Sequence, residues 1–248
     1  MSTERAWLAL WLDGPLQSWG FESRFERRRT ALFPTKSGVL GLICAAMGVP
    51  KGSAREGEVL GAFATPGMVA VRLPRLAGKQ ELFERRLTDY HTIRNAGRAK
   101  NLNARRNVRT WRDYVAEARF IVLPPGERPA VQAAAVGLRD PVWGIWLGRK
   151  SCIPSSPVLV SDQGVSVFND EDCAWRAALR FAALLGVGRF YPAETSKEQF
   201  ARVCDAAQFK DGTDTWNDAP LGFGRPGSSG IEDRRFCPRR VKISSPSL

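Results

Sequence analysis

From Ala6 to Leu12 the chain reads Ala-Trp-Leu-Ala-Leu-Trp-Leu and then meets Asp13-Gly14-Pro15. An apolar run this short, ended by a turn signal, predicts a buried strand. Residues 31–36 read as a loop. From Ser37 a mostly apolar stretch runs to Val49 and stops at Pro50, which predicts a buried helix capped by Thr35 or Ser37. Gly38 and Gly41 weaken that helix by about 1 kcal/mol each relative to alanine. They make sense if another backbone must come close. Met68–Leu73 and Ala118–Leu123 predict a second and a third strand, and Pro124-Pro125-Gly126 ends the third. Arg128–Leu138 is alanine-rich and helical, and Trp143–Gly148 is the candidate for a fourth strand.

The predicted order is strand, helix, strand, strand, helix, strand. That is the split βαβ, or ferredoxin-like, arrangement of an α+β fold. The same topology underlies the RNA-recognition motif, whose sheet stacks bases. Residues 79–112 interrupt the connection between the second and third strands. A hairpin loop needs only 2–5 residues, and a much longer one is usually functional or disordered. The expected organisation is a palm over residues 1–160 with a thumb inserted at about 79–112, and a C-terminal extension, 161–248, packed on it. In the extension, Asp172–Leu185 predicts a helix closed by Gly186, Lys197–Gln208 a possible further helix, and Leu221–Gly230 a Gly/Ser-rich loop. The last 18 residues are basic and extended.

Charge changes this picture from a fold to a function. The 248 residues carry 37 Lys+Arg against 25 Asp+Glu, a formal charge of +12. Between Arg85 and Arg112 nine basic residues face a single acid, Asp89. Smaller basic clusters lie at Arg24–Lys36 and Arg225–Lys242. Charge concentrated in segments suggests surfaces that neutralise phosphates, although a solvated face is the commoner meaning of a charge run. In the thumb the cations alternate with Asn95, Asn101, Asn103, Asn107, Tyr90, His91 and Trp111, groups that hydrogen-bond or stack on bases. No run reaches the length of a membrane span, and no secretory signal is expected. Cys44, Cys152, Cys173, Cys204 and Cys237 are odd in number and far apart, which argues against a disulfide framework or a structural zinc. A reducing, cytoplasmic setting is expected, with no cofactor and no metal.

Several motifs suggest chemistry, and each has a plainer reading. Gly222-Phe-Gly-Arg-Pro-Gly227 matches G-x-G-x-x-G, but Pro226 and the absence of a following βαβ unit argue against a dinucleotide site. A flexible or RNA-contacting loop is favoured. Pro34-Thr-Lys-Ser-Gly38 lacks the glycines of a P-loop, yet a helix N-terminus beside Lys36 makes an anion site. Asp170-Glu-Asp172 reads as a dipole partner of the helix it precedes. No G-x-S-x-G occurs. His91 is the sole histidine, so a metal-independent ribonuclease using His91 with Tyr90 or Lys100 is conceivable. Binding or anchoring without chemistry is the favoured role. Of the eight tryptophans, Trp19 and Trp111 are the better stacking candidates.

Five motifs occur in order: Gly14-Pro-Leu-Gln-Ser-Trp-Gly20, Phe33-Pro-Thr-Lys-Ser-Gly-Val-Leu-Gly-Leu42, Thr88-Asp-Tyr-His-Thr92, Thr110-Trp-Arg-Asp-Tyr114 and Leu147-Gly-Arg-Lys-Ser-Cys152. Over roughly residues 7–160 they resemble the Cas-five family of the type I-E CRISPR Cascade complex, within the RAMP superfamily. The resemblance implies a ferredoxin-like palm with a thumb. It also implies a grip on the 5′ handle of the crRNA, and contacts with the Cascade backbone subunit and the large PAM-reading subunit. Target DNA is reached through the complex, which serves antiviral defence. In this subtype the family is structural; in a related one it is itself the ribonuclease. Carried over by position, Gln17 and Trp19 shape the loop after the first strand. Lys36 and Ser37 hold handle phosphates, and Arg149, Lys150 and Ser151 line the same groove. Tyr90, His91, Arg105, Arg106 and Arg109 belong to the thumb. Arg27, in the first basic cluster, completes the expected RNA-binding set.

Overall fold

A computed structural model describes residues 4–21, 26–77, 80–82, 85–98, 101–187, 192, 194–206, 214–224 and 234–245. The predicted first strand is two short ones, β1 (Arg5–Trp7) and β2 (Leu10–Asp13). After them come β3 (Leu16–Gln17), β4 (Trp19–Gly20), β5 (Arg27–Arg28) and β6 (Thr30–Ala31). The helices α1 (Lys36–Ala46) and α2 (Ala54–Ala62) follow, then β7 (Val69–Arg72), β8 (Arg75–Ala77) and β9 (Gln80–Leu82). The long β10 (Arg85–Arg98) and β11 (Asn101–Ala116) lead to β12 (Arg119–Leu123), β13 (Pro125–Glu127) and α3 (Arg128–Arg139). The chain ends with α4 (Glu171–Leu184), β14 (Arg202–Asp205), β15 (Asp214–Gly222) and β16 (Arg235–Ser244).

The main sheet is antiparallel, in the order β15-β16-β14-β7-β12-β2. Its centre explains the unbroken apolar runs. Ala6, Leu8, Leu10 and Leu12 point into one core with α1 and α3, whereas Trp7, Ala9 and Trp11 point into a second core with α4. In β12, Phe120 and Val122 join the first core, and Ile121 and Leu123 join the second. A strand covered on both faces has no polar face, so its sequence loses the two-residue alternation. The fold is mixed α/β with helices on both sides of the central strands. The face of the sheet away from α1 and α3 is occupied by Ala174, Trp175, Ala178 and Leu179 of α4.

Several expectations change. Trp143–Gly148 is not a strand. The place beside β2 goes to residues 158–160, where Trp11 N donates to Val158 O (2.8 Å) and Val160 N to Ala9 O (3.0 Å). Trp143 is instead exposed in a loop whose backbone bonds to Ala45 at the end of α1. The described part of Lys197–Gln208, residues 197–206, is not a helix either. A three-residue 3-10 turn precedes β14, because Val203 is buried opposite Ala70 and extends the sheet past β7. The polar helix α2 lies outside the predicted elements, although Ser53 and Glu56 have capping-box spacing and Ser53 Oγ accepts from Glu56 N at 3.2 Å. The basic insertion forms a two-stranded antiparallel ribbon, β10–β11.

Gly38 is explained by a side chain rather than a backbone. A Cβ there would lie 2.8 Å from Cε3 of the Trp19 indole, which is fully buried. At Gly41 the Phe223 ring is the neighbour, at ordinary contact distance.

Candidate nucleic-acid interface

The ribbon grows from the body at two places. Val115 and Ala116 of β11 pair with Gln17 and Leu16, and Trp111 and Arg112 run parallel to Arg27 and Arg28 of β5. Register fixes which residues meet. Opposed residues of an antiparallel pair project to one side, and successive residues alternate. Asp89 therefore lies opposite Arg112 and His91 opposite Thr110 on one side, while Tyr90 lies opposite Trp111 on the other.

The first side gathers arginines. Arg28 stands in register with Arg112. Arg149 reaches in from the loop after Leu147, its Nη1 donating to Asp113 O (3.0 Å) and its Nη2 to Arg28 O (2.9 Å). Its guanidinium sits 4.6 Å from the Tyr114 ring centroid, a cation–π contact. Burial, and then the charges of Arg112, Arg149 and Arg234, push the Arg28 pKa below its ordinary value. Among the described residues no carboxylate pairs with Arg28, Arg112 or Arg149. Asp89, the acid in register, is 4.0 Å from His91 Nδ1. Like charges held together without counter-ions favour a multivalent anion, whose binding relieves the repulsion.

The loop carrying Arg149 is tightly specified. Leu147 O accepts from Ser18 N at 2.9 Å. Gly148 has φ +99, and a Cβ there would collide with Ser18 O. Only glycine meets both demands. Lys150 and Ser151, in the same loop, are exposed, with Lys150 Nζ 5.7 Å from the Trp146 ring.

Other expected contacts are overturned by burial. Gln17 is fully buried; its Nε2 donates to Leu12 O (3.0 Å) and Ala118 O (2.8 Å), and its Oε1 accepts from Trp19 Nε1 (3.1 Å). Gln17 is thus a clamp at the ribbon's root, and Trp19 is core rather than a stacking platform. Lys36 is only 5% exposed. Its Nζ donates to Ala64 O (3.3 Å) and Thr65 O (3.1 Å) and lies 3.8 Å from Asp205. The helix N-terminus beside it is already occupied: Lys36 N donates to Asp218 Oδ2 at 2.7 Å. Asp218 also takes a two-pronged bond from Arg239 (2.6 and 2.8 Å), and Arg239 pairs with Asp205 too. Two protein carboxylates stand where a phosphate had been expected. Burial works against the Arg239 charge, but Asp218 and Asp205 outweigh it and raise its pKa. Burial lowers that of Lys36 despite Asp205. Ser37 bonds to Thr35 Oγ1 (3.4 Å) within the cap.

The thumb candidates are divided. Arg27, Arg109 and Tyr90 are exposed, and His91 is half-exposed. Arg105 and Arg106 lie on β11 opposite Gly97 and Ala96, but their side chains fall outside the described residues, as does Lys100. Tyr90 and His91 are successive strand residues, so they project to opposite sides and do not converge as an acid/base pair. In the sequence Arg28 and Arg112 stand only as members of two separate basic clusters. Their pairing depends on β5 docking beside β11, some eighty residues away, which no local pattern records.

The remaining motifs resolve simply. Gly222 ends β15, whose partner is the antiparallel β16, so the glycine-rich segment joins two sheet strands rather than a strand and a helix. Phe223 N donates to Glu56 Oε2 at 3.2 Å, and residues 225–230 lie outside the described residues. Asp170 caps α4, accepting from Cys173 N at 2.6 Å, and that bond lowers its pKa. No group of three His, Cys, Asp or Glu that could hold a metal occurs among the described residues. No described helix is long and apolar enough to cross a membrane.

A family model described as CRISPR-associated protein (Cas_Cas5) matches residues 7–174. Over 165 residues the chain is 32% identical to the CRISPR system Cascade subunit CasD of Escherichia coli (strain K12), spanning 63% of this chain and 70% of that protein. Among solved structures it is similar to a chain of a CRISPR RNA-guided surveillance complex, with a TM-score of 0.66 at 22% identity over 98% of this chain and 90% of that one. A crystal structure of a Cas protein aligns over 98% of both chains with a TM-score of 0.55 and 26% identity. The first of these supports the fold alone. With the family model matching well over half of its length and CasD sharing nearly a third of the aligned residues, the chain belongs to the Cas5 family of CRISPR-associated proteins.

Proposed function

We propose that this chain is a non-catalytic RNA-binding subunit of a type I-E Cascade surveillance complex. Its ribbon holds the 5′ handle of the crRNA, and its body joins the backbone subunit to the large subunit in the cytoplasm. Target DNA meets it through the complex. The palm is a ferredoxin-like unit: β2, β7 and β12 take the positions of its first three strands, residues 158–160 the fourth, and the C-terminal strands enlarge the sheet. The observation that carries the reading is the Arg28–Arg112–Arg149 cluster, three guanidinium groups gathered on one side of the ribbon without carboxylate partners among the described residues. Such a surface suits a sharply bent, single-stranded polyanion.

The test is crRNA retention in the purified complex. Arg28→Ala with Arg112→Ala is expected to lower the crRNA content while the chain remains folded. Unchanged crRNA content would dismiss the assignment. The absence of chemistry is tested by incubating excess protein with repeat RNA and EDTA. The RNA is expected to stay intact, and cleavage that disappears in His91→Ala would replace this reading with a nuclease.

A further inference from the structure

The arginine cluster uses only one side of the ribbon. The other side carries the opposed pairs Thr88/Asp113, Tyr90/Trp111 and Thr92/Arg109. Tyr90 is 53% exposed there, and its ring meets Trp111 at a centroid distance of 5.4 Å with the planes inclined at 59°. Arg27, in register with Trp111, extends the row. Arg27 and Arg109 are exposed, and no carboxylate pairs with either among the described residues. The acid on this side, Asp113, is engaged by Thr88 Oγ1 at 2.8 Å. The exposed aliphatic residues of the ribbon, Leu87 and Ile93, belong to the opposite side. The Tyr90 side therefore offers π-faces and guanidinium groups, not an apolar patch that a protein would cover.

This inference rests on the RNA-binding reading above. We infer that the Tyr90–Trp111 side of the ribbon is a nucleobase subsite: one unpaired base stacks on Tyr90 with Arg27 and Arg109 beside it, while the phosphates of the same strand lie on the arginine side. β10 is the outer strand of the ribbon, so the strand crosses from one side to the other around it. Stacking on an exposed ring is tolerant of base identity, because every base has a π-face. The subsite adds affinity without demanding a particular base.

Two probes with the same phosphates separate the two sides: an adenylate octamer and an octamer of abasic ribose phosphates, each titrated against the full chain. Tyr90→Ala is expected to weaken the adenylate octamer roughly tenfold, the weight of one base–aromatic stack, and to leave the abasic octamer unchanged. Tyr90→Phe retains the adenylate affinity. Arg28→Ala with Arg112→Ala weakens both probes. If Tyr90→Ala changes both probes equally or neither, or if the unaltered chain holds both equally well, the subsite is overturned and the arginine cluster stands. If the unaltered chain binds neither probe, the RNA-binding reading fails and takes the subsite with it. Tyr90 is exposed, and a thermal melt confirms that each variant is folded.

Discussion

Arg149 donates to the main-chain carbonyl oxygen of Arg28 at 2.9 Å, so one arginine of the basic cluster holds the backbone of another in place. A second bond to Asp113 O and the Tyr114 ring beneath it fix the Arg149 guanidinium itself. Lysine supplies the charge but not this fork. Arg149→Lys is expected to loosen RNA binding through lost alignment, with the dependence of log affinity on log salt little changed.

Arg112→Ala, by contrast, removes a phosphate-neutralising charge. For a single-stranded ligand the salt slope is expected to become shallower by up to about 0.7. Titrations between low and physiological salt distinguish the two variants. An unaltered slope in Arg112→Ala would remove that residue from the phosphate surface.

Lys36 supplies a third comparison. Because its amine is buried against Ala64 O, Thr65 O and Asp205, Lys36→Met should leave RNA affinity per folded molecule unchanged. Asp218→Ala is a stability variant: it takes the two-pronged acceptor from Arg239, leaving it Asp205 alone, and the acceptor from the start of α1. Removing one member of a buried ion pair typically costs about 3–5 kcal/mol. An RNA titration of Lys36→Met checks the first expectation, and urea unfolding of Asp218→Ala the second.

Glycine-to-alanine exchange should have opposite signs in the two neighbouring helices. At Gly57 a Cβ meets nothing within 4 Å, so Gly57→Ala is expected to stabilise by up to about 1 kcal/mol. At Gly38 the same atom would press on the buried Trp19 ring, and overpacking of about 1–3 kcal/mol outweighs the helix gain. Thermal melts of the pair decide it.

The Cys44 thiol is pushed up to about 12, first by burial and then by the nearby Glu56 carboxylate. At pH 8 it is protonated in the folded chain, and iodoacetamide should label it only after unfolding. The folded pKa lies above the unfolded one, so the stability this thiol contributes is complete below about pH 8.5 and declines as the pH rises towards 12. Mass-spectrometric mapping of labelled cysteines reads the first effect. The urea midpoint at pH 8 against pH 10.5 reads the second.

Much of the framework was legible in local pattern. The apolar run at Ala6–Leu12, the strand before Pro124, the alanine-rich α3 and the helix capped by Asp170 all announce themselves through runs or capping chemistry. Trp143–Gly148 misled because an apolar, tryptophan-rich stretch looks buried even when Trp143 lies in an exposed loop. β14 was hidden because four residues following a turn hold too little periodicity. At the site, the basic segment that forms the ribbon was visible from charge alone. The failures at Gln17, Trp19 and Lys36 share one cause: polar or aromatic groups near a basic segment look like ligands until the fold supplies their partners. Asp205 and Asp218 arrive from some 170–180 residues further along the chain, and no motif at Lys36 foretells them.

The family match ends at residue 174, yet the layer that β7 and β12 begin is finished by what comes after. Without the stretch from α4 onward, Trp7, Trp11 and Ile121 would face water, β7 would have an unpaired border, and Lys36 would lose Asp205 and Asp218 together. Synthesis must therefore pass Asp218 before the first helix finds both of its counter-charges. A shortened version trimmed to the recognisable family core would be sticky rather than merely smaller.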